Sequence, residues 1–95
     1  MQFEWDENKN SSNQEKHGVD FNQAIEVWND ENRLETPDNR KDYGETRIKI
    51  IGKALNLMLS VIYTTRDTVT RLISARSASR GERKKYNEKN NDGNK

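Results

Sequence analysis

The chain has no cysteine and a single histidine. Neither a disulfide framework nor a thiolate or multi-histidine metal site can be built from it. Proline occurs once, aromatic residues make up 7% and hydrophobic residues 29%, with a mean hydropathy of −1.28. The 95 residues therefore suit one small domain with a thin core, of marginal stability unless a partner covers part of its surface. No apolar run approaches the roughly 20 residues of a membrane helix, and Met1 to Asp6 lacks the basic-then-apolar order of a signal peptide. The expectation is a cytoplasmic protein with no membrane partner.

Charge is plentiful and unevenly placed. Up to Glu45 there are 5 Lys or Arg against 12 Asp or Glu, a net of −7; from Thr46 onward there are 12 against 4, a net of +8. Such a split points to a basic surface for nucleic acid or an acidic partner, or to oppositely charged elements facing each other within the fold.

Thr46 to Arg76 organises the chain. Leu55, Leu57, Leu59, Val61 and Tyr63 alternate with Asn56, Ser60 and Thr64, the two-residue period of a half-buried strand. Before it, Ile48, Ile50 and Gly52 share one parity while Arg47, Lys49 and Ile51 share the other. After it, Val69, Ile73 and Ala75 oppose Leu72, Ser74 and Arg76, with Arg71 on the more apolar side. Turns are expected near Gly52-Lys53 and Arg66-Asp67. The result is an antiparallel meander, aliphatic within and basic without, a platform for a polyanion.

The flanks read as helices. Asp6 caps a polar helix from Glu7 to His17 that Gly18 ends, held through Trp5 and the stems of Lys9 and Lys16. Asp20 with Gln23 forms a capping box for a second helix whose Phe21, Ala24, Ile25 and Trp28 face the core. Leu34 belongs to a short edge strand before Pro37, and Thr36 to Gly44 is an exposed loop. Ser79 with Glu82 opens a basic C-terminal helix carrying Arg80, Arg83, Lys84 and Lys85 and docked by Tyr86. Residues 1–86 form a single domain, and 87–95 read as a disordered polar tail.

Several residues together resemble one family. Phe3-Glu4-Trp5-Asp6, Asn8-Lys9, Lys16-His17-Gly18-Val19, Phe21, Ala24, Glu45, Arg47, Ile51-Gly52, Tyr63-Thr64 and Arg71-Leu72-Ile73-Ser74-Ala75-Arg76 with Ala78, Glu82, Arg83 and Tyr86 occur in order over residues 1–86. This series is similar to the BrnT toxins of type II toxin-antitoxin pairs. The resemblance implies an α+β, RelE-like fold with two N-terminal helices, a small antiparallel sheet and a C-terminal helix. It also implies a metal-independent ribonuclease that arrests translation. Its implied partner is a small BrnA-type antitoxin that masks it and binds operator DNA, which the toxin reaches only through the antitoxin.

Cleavage without a metal or other cofactor can use the substrate's own 2′-hydroxyl, provided the protein positions it, moves its proton and neutralises the phosphorane. Arginine suits the last task because its planar fork holds two phosphate oxygens; Arg47, Arg71 and Arg76 are the candidates. For proton transfer the candidates are His17, Lys16, Tyr63 and Glu45, and imidazole exchanges protons near neutrality, so His17 suits the acid role. Lys49, Arg80, Arg83 and Tyr63 are the substrate-binding candidates. Each has a structural alternative: His17 as a helix-end residue, Arg71 as an ion-pair partner, Tyr63 as core. A non-catalytic nucleic-acid-binding module and a protein-interaction module stay open beside the nuclease.

Overall fold

The computed structural model describes residues 1–40 and 42–91. In chain order these form β1 (Gln2–Glu4), α1 (Glu7–His17), α2 (Phe21–Ala24), a 3-10 turn (Ile25–Asn29), β2 (Leu34–Pro37), β3 (Ile48–Ala54), β4 (Leu57–Arg66), β5 (Val69–Ser77) and α3 (Arg80–Asn91). The strands make one sheet in the order β1-β5-β4-β3-β2. The class is α+β, and the β3-β4-β5 meander is antiparallel. The sheet as a whole is mixed, because β1 lies parallel to β5. That corrects the purely antiparallel expectation, and its effect is to cover part of an edge that β5 would otherwise leave unpaired.

Capping decides where the helices begin and end. The Asp6 carboxylate accepts the Asn8 N–H at 2.8 Å, and Gly18, at φ 69°, closes α1 by donating its N–H to the Gln14 carbonyl. α1 has almost no apolar side chain, yet two of its asparagines are buried. Asn13 donates to the Ala75 carbonyl at 2.7 Å and accepts the Ala75 N–H at 3.1 Å, so its amide pairs with β5 as a neighbouring strand would. Asn10 donates to Asp20 and accepts the Phe21 N–H. Buried amides, rather than lysine stems, fasten this helix.

The second helix is shorter than its pattern suggests. After one α-turn it tightens into the 3-10 turn, whose period of about three residues brings Phe21, Ala24 and Val27 to full burial and leaves Ile25 and Trp28 half-buried. These residues meet Ile50, Ala54, Leu59, Val61, Leu72 and Ala75 in the main core, between the helices and one face of the sheet. Edge-to-face rings continue the packing, Phe3 with Trp28 at 4.9 Å, Trp5 with Phe21 at 5.9 Å and Trp28 with Tyr63 at 5.1 Å. On the other face α3 covers a smaller cluster of Leu34, Ile51, Ala78 and Tyr86. The Tyr86 hydroxyl donates to Asp30 at 2.6 Å, which docks α3 as its single ring suggests. The helix continues through Asn91, beyond the expected domain end at Tyr86; residues 92–95 of the expected tail lie outside the described residues.

Two details of the meander depart from simple alternation. Ile62 pairs with Ser74 but Tyr63 with Leu72, so Ile73 is an extra residue in β5. This bulge switches parity: Leu72 joins Ala75 in the core, and Arg71 joins Ser74 and Arg76 on the opposite face. The turn expected at Gly52-Lys53 falls instead at Leu55-Asn56. Gly52 lies within β3, where the absence of a side chain admits a close approach, since a Cβ there would stand 3.2 Å from Arg33 Cβ and 3.3 Å from Val27 Cβ.

Leu55 thereby occupies a left-handed position at φ 57° with 79% of its surface exposed. Such a backbone strains a branched side chain, and little packing is lost if that side chain is removed. Leu55→Gly is expected to stabilise the protein by about 1 kcal/mol, read as a raised urea midpoint at constant slope. A lowered midpoint would show that the leucine contributes packing that outweighs its strain.

Candidate functional site: a cation-lined hollow on the open sheet face

The face opposite the main core carries the polar parity of every central strand. Lys49, Ile62 and Ser74 form one cross-strand row, and Ile51, Ser60 and Arg76 the next. Thr64 and Arg71 pair in a further row, whose parity Arg47, just before β3, continues. Part of this face lies under α3, which brings Glu82 onto it.

Glu82 is where the elements of this face meet. Its side chain is 8% exposed and receives both ends of the Arg76 fork, at 2.8 and 3.0 Å. Lys49 Nζ donates to it at 2.9 Å, Ser60 Oγ at 3.3 Å and the Ser79 N–H at 2.8 Å. The Ser79 hydroxyl in turn accepts the Glu82 N–H, completing the expected capping box. Burial opposes ionisation of Glu82, but the bonds from Arg76, Ser79 and Lys49 outweigh it and hold the carboxyl well below its usual range. One carboxylate thus orients two cations, leaving the group with one positive charge in excess.

Those cations open onto a hollow of about 200 Å³ lined by His17, Arg40, Lys49, Ser60, Ile62, Ser74 and Arg76. Five segments supply it: the end of α1, the loop after β2, the strands β3 and β4, and the bulged half of β5. His17 makes no side-chain hydrogen bond among the described residues, so its imidazole is free to meet a ligand. Arg40 reaches in from the loop, its guanidinium bound to the buried Asp38 carboxylate at 2.8 and 3.0 Å. That hydrogen bond holds the Asp38 carboxyl below its usual range and raises the pKa of Arg40.

Of the residues singled out in the sequence, the hollow brings together His17, Lys49 and Arg76. Arg47 and Arg71 stand outside its lining. Arg47 bonds Glu45 at 3.1 Å and lies over the Tyr43 ring, 3.9 Å from its centroid, and Arg71 bonds Glu4 at 2.9 Å. Lys16 lines the neighbouring groove along α1. Arg83 donates to the Ala78 carbonyl and lines a separate cleft with Lys53, Leu55 and Met58, while Arg80 is exposed at the start of α3. Tyr63 is on the core face, where burial and a hydrogen bond to Glu35 push its hydroxyl up to about 12, so the structure does not bring it to the hollow. Arg40, Ser60 and Ser74 were not singled out by sequence reasoning. Arg40 sits in a loop without periodicity, and the serines read only as the polar half of an alternation. For Glu82 the capping-box spacing was the available signal, and it announces the cap without the charge cluster.

Cations, hydroxyl groups and an imidazole on the open face of an α+β sheet define a protein equipped to hold a phosphodiester anion. The chain belongs to the family described as ribonuclease toxin, BrnT, of type II toxin-antitoxin system, whose model matches residues 5–82. No curated protein matches the chain. Membership makes it a ribonuclease toxin, with RNA as target and a protein antitoxin as partner. Among the described residues no three or more His, Cys, Asp or Glu side chains gather as metal ligands, and no helix is long and apolar enough to cross a membrane.

The Glu82 cluster carries a pH signature. Because its carboxyl ionises more readily in the folded chain, its stabilisation is complete above the ordinary value of 4.5 and is lost as pH falls below it. Glu82→Gln is expected to flatten this part of the acid limb in thermal melts, while the depressed carboxyls of Asp20, Asp30, Asp38 and Glu45 keep the remainder. At neutral pH the same change costs about 2 kcal/mol through lost charge-assisted hydrogen bonds. An acid limb identical to that of the parent protein would show that Glu82 titrates alike folded and unfolded.

Proposed function

We propose that the hollow is the catalytic centre of a metal-independent RNA endonuclease that arrests translation. The convergence of His17, Lys49 and Arg76 from three separate elements onto one open cavity carries this reading. In the reaction the 2′-oxygen of the nucleotide before the break attacks phosphorus. The O2′–P bond forms, the P–O5′ bond breaks, and the products end in a 2′,3′-cyclic phosphate and a 5′-hydroxyl. The 2′-hydroxyl proton passes to solvent, and His17 donates a proton to the departing 5′-oxygen. Arg76 and Lys49 hold the non-bridging oxygens, their positions fixed in advance by Glu82 so that little reorganisation accompanies the build-up of charge. Ser60 and Ser74 add hydroxyl groups at the floor. Arg47, one row further along the same face and sharing Glu45 with Arg66, attracts the RNA chain electrostatically without touching the scissile phosphate, whereas Arg71, paired one-to-one with Glu4, ties β5 to β1.

A RelE-like arrangement and a BrnA-type antitoxin that masks this face, with operator DNA reached only through that antitoxin, complete the reading in line with the family. The carboxylate pairing of Arg47, Arg71 and Arg76 favours a second reading, a module that binds RNA without cutting it.

One incubation with RNA in chelator separates the two. Cyclic phosphate ends support the nuclease, and salt-sensitive retention of intact RNA supports the binding module. For the nuclease, Arg76→Lys preserves a charge beside Glu82 but loses the two-pronged grip, so cleavage should fall by about 10² or more in protein that stays folded at the assay temperature. His17→Ala should lower it by about 10² to 10⁴. Full cleavage by both variants would remove the hollow from the mechanism.

A further inference from the structure

The hollow does not end at His17 and Ser74. Both residues also line a second cavity of about 220 Å³, with Lys9, Ser12, Asn13, Lys16 and Ile73. The two cavities share those two residues and so adjoin at His17 and Ser74, one on the sheet face and the other along α1. We infer that this groove is a subsite for the nucleotide flanking the scissile bond, with phosphates held by Lys9 and Lys16 and a base laid against Ile73. The inference rests on the proposed nuclease centre, because that reading fixes where the RNA chain enters.

Three independent features converge here. Lys9, Ser12, Asn13 and Lys16 follow three- and four-residue spacing, so they share one face of α1; the carboxylates of Glu7 and Glu15 are not among the lining residues. Both lysines are exposed and form no ion pair among the described residues, unlike the arginines of the sheet. Most informative is Ile73, the extra residue of the bulge, which has no partner on β4 and lies half-buried in the groove. Bulges re-aim side chains next to functional sites, and this one sets an apolar surface between two cations and an imidazole. The strand two residues further on is held to α1 by the Asn13 amide on Ala75. A single-stranded chain offers alternating phosphates and unstacked bases, the chemistry that such a surface matches. A double helix, whose bases are turned inward, does not.

The test uses the whole protein and an eight-nucleotide RNA blocked at every 2′-oxygen by methylation, so that binding is measured without cleavage. Fluorescence anisotropy over a series of salt concentrations gives the number of phosphates neutralised. Lys9→Ala combined with Lys16→Ala should reduce the slope of log affinity against log salt by about 1.4, or about 0.7 for each lost contact with single-stranded nucleic acid. Lys84→Ala combined with Lys85→Ala removes equal charge from α3, outside the lining of both cavities, and should leave the slope unchanged. Ile73→Ser should weaken binding severalfold without changing the slope. An unchanged slope in the Lys9/Lys16 variant, or equal losses from both lysine pairs, overturns the groove. RNA that still binds through Arg76 and Lys49 in that case leaves the nuclease centre standing, whereas failure of the parent protein to bind RNA overturns both.

Discussion

The centre of the open face depends on the carboxylate of Glu82. It arrives on α3, yet it holds side chains from β3, β4 and β5 and the N–H of its own helix start. Without it, Arg76 and Lys49 would have no common anchor, and the cap that begins α3 would lose half of its reciprocal bonds. The burial of a charge is costly unless it is paired and hydrogen-bonded. Here several donors converge on one acceptor, and the same interaction docks a helix and sets the direction of two cations. Tyr86, bonded to Asp30 further along α3, fixes that helix at a second point, so Glu82 cannot swing away as an isolated side chain would.

The bulge at Ile73 is the second constraint, and it explains why the sequence pattern of β5 misleads. Strict alternation places Arg71 with Ile73 and Ala75, an arginine on a core face. One extra residue resolves the conflict, since Leu72 and Ala75 then point inward and Arg71 outward. Nothing in the residue types announces the bulge, because no glycine marks it and its stabilising partner is remote in sequence. That partner is Asn13 on α1, whose amide supplies β5 with a donor and an acceptor along the edge that β1 does not reach. A helix with so few apolar residues cannot be placed by hydrophobic periodicity; its placement rests on tertiary hydrogen bonds that only the fold reveals.

Where local chemistry dictates the outcome, the sequence was legible. Asp6, Gly18, Asp20 and the Ser79-Glu82 pair end or begin helices where their capping preferences put them. Ile50, Leu59 and Val61 take the buried parity. Legibility failed where two rules compete. Gly52 reads as a turn residue, but it serves the close approach of Val27 and Arg33, so the turn moved to a strained leucine. The helical spacing of Phe21, Ala24, Ile25 and Trp28 gave way to a three-residue spacing once the backbone tightened. The hollow was legible only in part. His17, Lys49 and Arg76 carry chemistry by residue type, whereas Arg40 enters through a loop whose course no pattern specifies.

Carboxylate pairing of the arginines at first argues against an anion site, since a guanidinium satisfied internally has less to offer a phosphate. The stoichiometry of the pairs points the other way. Glu82 takes both Arg76 and Lys49, and Glu45 takes both Arg47 and Arg66, so each group keeps a surplus positive charge. Arg71 with Glu4 is the neutral one-to-one pair expected of a purely structural bond, and it lies at the junction with β1 rather than in the hollow. Glu4 and Glu45 of the acidic first half, with Glu82 of the second, therefore neutralise the basic second half incompletely and unevenly. Surplus charge is retained beside an imidazole, two hydroxyl groups and an unpaired isoleucine, on side chains whose geometry is already fixed. A site that must stabilise charge only as a bond breaks benefits from this arrangement, because cations held in advance need not be gathered during the reaction.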